Sequence, residues 1–310
     1  MIKKTLYFGN PAYLSLKERQ LVIRLPEVEK ADLPQDFKKQ AIRTIPIEDI
    51  GVVVLDNKQI TITTGLMDAL LENTCAVITC NSKGLPTGLM LPLYGNTTQN
   101  ERFRNQIDAS LPLKKQLWQQ TVQQKIYNQA MAMKQCSNAE IGCMMAWSND
   151  VKSGDTGNQE AIAAAYYWRN FFPQFSNFVR DKDGEYPNCL LNYGYAILRA
   201  IIARALVGTG LLPTLGIHHH NRYNAYCLAD DIMEPYRPFV DRFVFGLINS
   251  YPEKKDLDKE LKSQLLGIPV LDVSINGKRS PLMVAAGTTT ASLYKCFAGI
   301  QRKVLYPELD

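Results

Sequence analysis

Histidine is almost missing from this chain of 310 residues: there are three, and they stand side by side as His218, His219 and His220. Any chemistry that needs an imidazole must therefore come from one place. Seven cysteines are odd in number, scattered and without a C-x-x-C pair, which argues against a disulfide framework or a zinc knuckle and predicts reduced thiols in a cytoplasmic protein. Long apolar runs are lacking too. The best membrane candidate, residues 196–210, contains Arg199 and Arg204 and falls short of the roughly 18 to 20 apolar residues a span requires, so no membrane is expected. Residues 1–9 hold too short an apolar stretch for a signal-peptide core of about 7 to 15 residues, and no leader is expected. No repeat or low-complexity linker interrupts the chain. Neither sign of charge dominates: 35 Lys and Arg against 30 Asp and Glu leave +5, which permits a polyanionic partner without demanding one.

What is present is an ordinary globular composition, 46% hydrophobic and 21% charged, in a length that suits one large domain or two. A chain of this size buries about three quarters of its unfolded surface and needs no covalent staple. The pattern changes character near residue 98. Before it, short β-branched or alternating runs (5–8, 20–25, 43–46, 51–55, 59–63, 76–79, 89–93) are separated by turn signals. Asp56-Asn57 reads as a hairpin turn between two of them, and residues 66–72 form the one helix expected there. After residue 98 the period lengthens to that of helices, over 99–136 with a break or the first turn of a second helix at Pro112, and then over 160–172, 188–207, 231–250, 256–266 and 290–305. Residues 148–158 and 181–187 read as loops. The expected class is α+β: a β-rich domain over residues 1–97, then a larger all-α domain over residues 98–310.

Three stretches carry candidate chemistry. Residues 216–237 bring imidazole and several carboxylates within a short span, a mixture suited to Mg²⁺ or Mn²⁺ with waters completing the shell. Asp231 and Glu234 lie three apart, on one face of a helix. The same spacing is also a capping box, with Asp231 as N-cap and Glu234 at the third helical position. Glu160 heads a second stretch whose same-face neighbours are Ala164 and Tyr167, and a small residue there lets another backbone come close beneath the carboxylate; a first-turn Glu also simply favours the helix dipole. In the third, residues 188–206, Leu191, Tyr195, Leu198 and Ile202 share a core face, and Asn192, Arg199 and Arg204 are the polar exceptions. Arg169, Arg180, Lys278 and Arg279 are among the basic residues able to follow a phosphate backbone, or to be no more than a solvated surface.

Order and context add what spacing leaves open. The helix start E-x-x-A-A-x-x-Y (Glu160, Ala163, Ala164, Tyr167) is followed by N-x-L-L-N-Y-G-Y-A-I-L-R from Asn188 to Arg199. Then come G-x-x-H (Gly216, His219) and D-x-M-E-P-x-R-P-x-V-D from Asp231 to Asp241. This series resembles the CRISPR-associated integrase of spacer acquisition, the "Cas one" family, in a form like that of type II systems, and the resemblance covers essentially the whole chain. It implies a β-rich dimerisation domain followed by a helical catalytic domain. It also implies Mg²⁺ or Mn²⁺ held by Glu160, His219 and Glu234, with Asp231 and His220 as further possible ligands; from their charge alone, Arg199, Arg169, Lys278 and Arg279 are the candidate DNA contacts.

The activity implied is that of a metal-dependent endonuclease and integrase. The 3′-hydroxyl of a short foreign DNA fragment attacks a phosphate at the edge of a CRISPR repeat and displaces another 3′-oxygen, and a metal activates the nucleophile and neutralises charge on the phosphate and leaving oxygen. The partners implied are double-stranded DNA, a second copy of the chain, a dimer of the smaller adaptation subunit ("Cas two") in a heterohexamer, and the RNA-guided effector nuclease of type II systems. Two other readings fit the residues: a metal-dependent nuclease of branched-DNA repair, and a non-catalytic DNA-bridging scaffold.

Overall fold

The computed structural model describes residues 3–32, 34–175 and 178–310. The chain divides into two compact units, Met1–Gly95 and Asn96–Asp310.

In the first unit β1 (Lys4–Phe8), β2 (Ala12–Lys17) and β3 (Gln20–Arg24) precede two short helices, α1 (Pro26–Lys30) and α2 (Gln35–Gln40). Then follow β4 (Arg43–Pro46), β5 (Ile50–Leu55), β6 (Ile60–Ile62), α3 (Thr64–Glu72), β7 (Ala76–Cys80) and β8 (Pro86–Met90). One sheet has the order β1-β5-β7-β8, and a second the order β4-β3-β2-β6. Phe8, Leu14, Leu21, Val53, Leu66 and Val77 from both sheets and α3 share one core. The Thr63 hydroxyl caps α3 by accepting from the Leu66 N–H.

Three expectations for this unit need correction. Asp56-Asn57 is not a hairpin turn, because β5 and β6 belong to different sheets, β5 pairing parallel with β1 and β7, and β6 parallel with β2. The last strand runs over Pro86–Met90 and not 89–93. Helices α1 and α2 are additional; neither buries a residue, so no apolar period announces them.

The second unit is built on α4 (Gln99–Ile107) and the long α5 (Leu111–Cys136), whose N-cap Ser110 accepts from the Leu113 N–H with Pro112 in the first turn. Around α5 pack α6 (Gly142–Asp150), α7 (Gln159–Phe171), α10 (Arg237–Ser250) and the 3₁₀ turn Glu234–Tyr236. The remaining helices are α8 (Asn188–Thr209), α9 (Cys227–Met233), α11 (Lys259–Leu265) and α12 (Leu282–Phe297). Helix α8 is long and apolar enough to cross a bilayer, yet most of it is buried inside the unit, against α9, α10 and α12.

This unit is not all-α. Strands β9 (Asp272–Ile275), β10 (Lys278–Pro281) and β11 (Pro307–Glu308) form a small sheet in the order β10-β9-β11. Asn276 and Gly277 take φ of 52° and 70° between β9 and β10, the left-handed pair that a two-residue hairpin turn requires. Residues 298–306, expected to be helical in part, instead lie along α5: Gln120 donates to the Arg302 carbonyl and accepts from the Val304 N–H, and the Thr121 and Tyr306 hydroxyls are 2.8 Å apart.

Candidate active site

Helix α5 buries Trp118, Thr121, Val122, Lys125, Ile126 and Gln129 at helical spacing. Lys125 is the charged exception on this stripe, 9% exposed. Its ammonium has two carboxylate partners from two other elements: Glu160 Oε1 at 2.7 Å and Glu234 Oε2 at 2.5 Å.

Each carboxylate is placed by its surroundings. Glu160 stands in the first turn of α7, where the Asp155 carboxylate accepts the N–H groups of Gln159 and Glu160 at 2.9 and 3.1 Å and so holds the helix start. Glu234 sits where α9 passes into the 3₁₀ turn, and its Oε1 accepts from Arg237 Nε at 2.8 Å. Burial alone would favour a neutral Glu234; the charges of Arg237 and Lys125 outweigh it and hold its pKa at about 2. Burial likewise opposes the Lys125 charge, and Glu234 and Glu160 overcome it, so its pKa is raised.

The histidine run lies in the loop before α9. Asp231, fully buried, accepts the N–H groups of Ile217, His218 and His219 at 2.7 to 3.2 Å, and its Oδ1 lies 2.5 Å from His219 Nδ1. That bond is the chief reason the His219 pKa is raised, and it leaves Nε2 as the nitrogen open to a ligand. Gly216 explains the turn: a Cβ there would meet the His219 carbonyl oxygen at 2.4 Å and Asp231 Oδ2 at 2.8 Å. His218 stacks on Trp118 with ring centroids 4.1 Å apart, and burial lowers its pKa. His220 is exposed. Asp231 is therefore no N-cap: it lies inside α9, whose first amides donate to the Pro213 carbonyl. With its oxygens committed to the loop, it orients His219.

Among the described residues, no three His, Cys, Asp or Glu side chains have their donor atoms gathered as a metal cage. The set Glu160, His219 and Glu234 expected from sequence is thus only partly assembled: two carboxylates converge, and the cation between them is Lys125. The physical reason is charge balance, since two carboxylates this near each other need a counter-ion. The donor types suit a hard divalent cation, and the ammonium already occupies a cation position between them.

A cleft of about 290 Å³ opens beside the pair, lined by Lys125, Arg180, Lys182, Glu234, Arg237 and Asp241 among others. Arg180 is held there by the Asn188 and Asn192 side chains at 3.0 and 2.6 Å, which is what the N-x-L-L-N start of α8 does. Asp241 is buried and accepts the hydroxyls of Tyr167 at 2.9 Å and Tyr195 at 2.5 Å.

Of the sequence-named basic residues, Arg199 is paired with Asp230 at 2.6 Å, and Arg169 lines a neighbouring groove with Trp168, Phe178 and Arg180. Lys278 and Arg279 lie on β10, and Arg279 lines a different cleft with Arg242 and Asp272. Sequence reasoning missed Lys125, Trp118 and Asp155. A signal for Lys125 existed: it falls four residues before Gln129 and three after Val122 on a stripe that starts at Trp118.

The chain is similar to known proteins in sequence and in fold. The family model described as CRISPR associated protein Cas1 matches residues 6–268. A CRISPR-associated endonuclease Cas1 of Neisseria meningitidis serogroup C is 36% identical over 293 residues, 94% of this chain and 91% of that protein. Among solved structures, a casposase bound to integration product superposes with a TM-score of 0.78 at 21% identity, covering 98% of this chain and 92% of the other. A Cas6-RT-Cas1–Cas2 complex gives 0.72 at 20% identity, covering 97% of this chain and 36% of that longer one.

Proposed function

The chain belongs to the Cas1 family of CRISPR-associated proteins, and we propose that it is a metal-dependent DNA endonuclease and integrase that inserts short foreign DNA fragments into a CRISPR array. The observation that carries this reading is the convergence of Glu160 and Glu234, from separate elements, on a single cation, beside an imidazole fixed by Asp231. Glu160, Glu234 and His219 Nε2 would hold Mg²⁺ or Mn²⁺. When bound, such an ion supplies Lewis-acid activation of the attacking DNA 3′-hydroxyl and neutralises charge on the phosphate.

The chain's own groups do the rest. Arg237 keeps Glu234 ionised and aimed at the site, Asp231 fixes the imidazole, and Arg180 and Lys182 present cations to a phosphate entering the cleft. Tyr167 and Tyr195 are committed to Asp241, and their pKa values, raised chiefly by burial, lie well above the ordinary phenol value. Neither is a nucleophile, and the reaction needs no covalent protein intermediate.

Double-stranded DNA and the small Cas2 subunit are the proposed partners, with a second copy of this chain. The casposase bound to integration product and the Cas6-RT-Cas1–Cas2 complex among the matched structures support the first two.

The test is joining of a 3′-hydroxyl DNA fragment to a repeat-bearing plasmid in Mn²⁺, wild type against Glu160→Ala. Joining at repeat edges by wild type, and its loss in a folded Glu160→Ala, is the expected result. Equal joining by both refutes the site. Nicking without insertion at repeat edges identifies a repair nuclease, and binding without cleavage a scaffold.

A further inference from the structure

We infer that Lys125 is a resident counter-ion of the site, displaced when a divalent cation binds, and that Gln129 receives the displaced ammonium. The inference rests on the metal-binding reading above and adds to it a competing state built into the chain.

Three observations carry it. First, the ammonium lies between the two carboxylates, 2.7 and 2.5 Å from their oxygens. A divalent ion using the same oxygens cannot share that position with a second positive charge. Second, among the described residues the ammonium is held only by its charge contacts at the end of the side chain, donating to Glu160 Oε1 and pairing with Glu234 Oε2, with no backbone group fixing it. A flexible four-carbon stem lets such an ammonium move without the backbone. Third, there is somewhere for it to go. Gln129 lies one helical turn on, on the same side of α5; it is 3% exposed, lines the same cleft, and its Oε1 has no hydrogen-bond partner among the described residues. An unpartnered buried acceptor is costly, and the displaced ammonium would satisfy it. Lys125 thus neutralises Glu160 and Glu234 while the site is empty of metal, and its positive charge turns toward the cleft when the site is filled.

The experiment measures Mn²⁺ affinity by calorimetry, and melting temperature in EDTA and in Mn²⁺, for the full chain and for Lys125→Met, Gln129→Leu and Glu160→Ala. Removing a like charge a few ångströms from the ion is expected to tighten Mn²⁺ binding by Lys125→Met at least about tenfold. Gln129→Leu, which removes the receiving acceptor, is expected to weaken it by about three- to tenfold. In Lys125→Met the melting temperature falls in EDTA, and Mn²⁺ raises it by more than in wild type; a purely structural lysine would lower both temperatures alike and leave the affinity unchanged. Equal or weaker Mn²⁺ binding by folded Lys125→Met overturns the inference. If that variant does not fold, unchanged affinity in Gln129→Leu overturns it. Failure of the underlying reading looks different: wild type then shows no Mn²⁺ binding that Glu160→Ala abolishes.

Discussion

Asp241 is predicted to make the second unit less stable as the pH rises from acid to neutral. Its carboxyl is 1% exposed, and burial pushes its pKa from 3.8 up to about 7, against the pull of the Tyr195 and Tyr167 hydroxyls and of Arg180 and Arg237. Because the folded protein holds this proton more tightly than the unfolded chain, the group's contribution is fully present below the unfolded pKa and is lost as pH rises toward the folded one. A shift of about three units at 1.36 kcal/mol each corresponds to about 4 kcal/mol over the whole window, of which about 3 kcal/mol falls between pH 5 and 8. Asp241→Asn removes the ionisation. Its amide accepts from one tyrosine and donates to the other, so the packing is kept. The assay is urea unfolding followed by tryptophan fluorescence at several pH values. Trp118, Trp147 and Trp168 all lie in the second unit, so the signal reports that unit alone. Wild-type stability minus that of Asp241→Asn is expected to fall by about 3 kcal/mol from pH 5 to 8. Parallel profiles for the two proteins would refute the reasoning.

Other substitutions probe the same architecture. Asp231→Asn leaves one acceptor oxygen for three amides and His219 Nδ1; thermal unfolding is expected to show a loss of about 3 kcal/mol, and calorimetry weaker Mn²⁺ binding. Gly216→Ala drives a Cβ into the His219 carbonyl, with an expected cost of about 1 to 3 kcal/mol by denaturant unfolding and a loss of Mn²⁺ affinity. Gly194→Ala, within α8, places its Cβ 2.7 Å from Val240 Cγ1 of α10. The overpacking is expected to exceed alanine's helix advantage of about 1 kcal/mol, so that the melting temperature falls while Mn²⁺ affinity is unchanged.

The chain's organisation was legible where local pattern and tertiary packing agree. The change from alternating to helical period near residue 98 lies beside the division between Gly95 and Asn96, because the β-rich unit buries alternate residues and the helical unit buries stripes. Gly216 marks the neighbourhood of His219 because close packing there excludes a larger side chain, and Ala164, on the Glu160 face of α7, lines the cleft beside the site. Other features were hidden. The capping-box reading of Asp231 failed because α9 starts at Cys227, its amides met by the carbonyl of Pro213, a contact that no sequence spacing encodes. Lys125 looked like one more cation in a helix rich in Gln and Lys; its burial appears only when α7 and the Glu234 turn close over it. The Asn276-Gly277 turn is a local hairpin signal set within a stretch of otherwise helical period.

The most direct measurement is anomalous diffraction at the manganese edge from crystals of the full chain soaked in Mn²⁺. The account predicts a peak bounded by the carboxylates of Glu160 and Glu234 and by His219 Nε2, with the Lys125 ammonium withdrawn. A peak held by other residues, or no peak at saturating Mn²⁺ with Lys125 still between the two carboxylates, would contradict it.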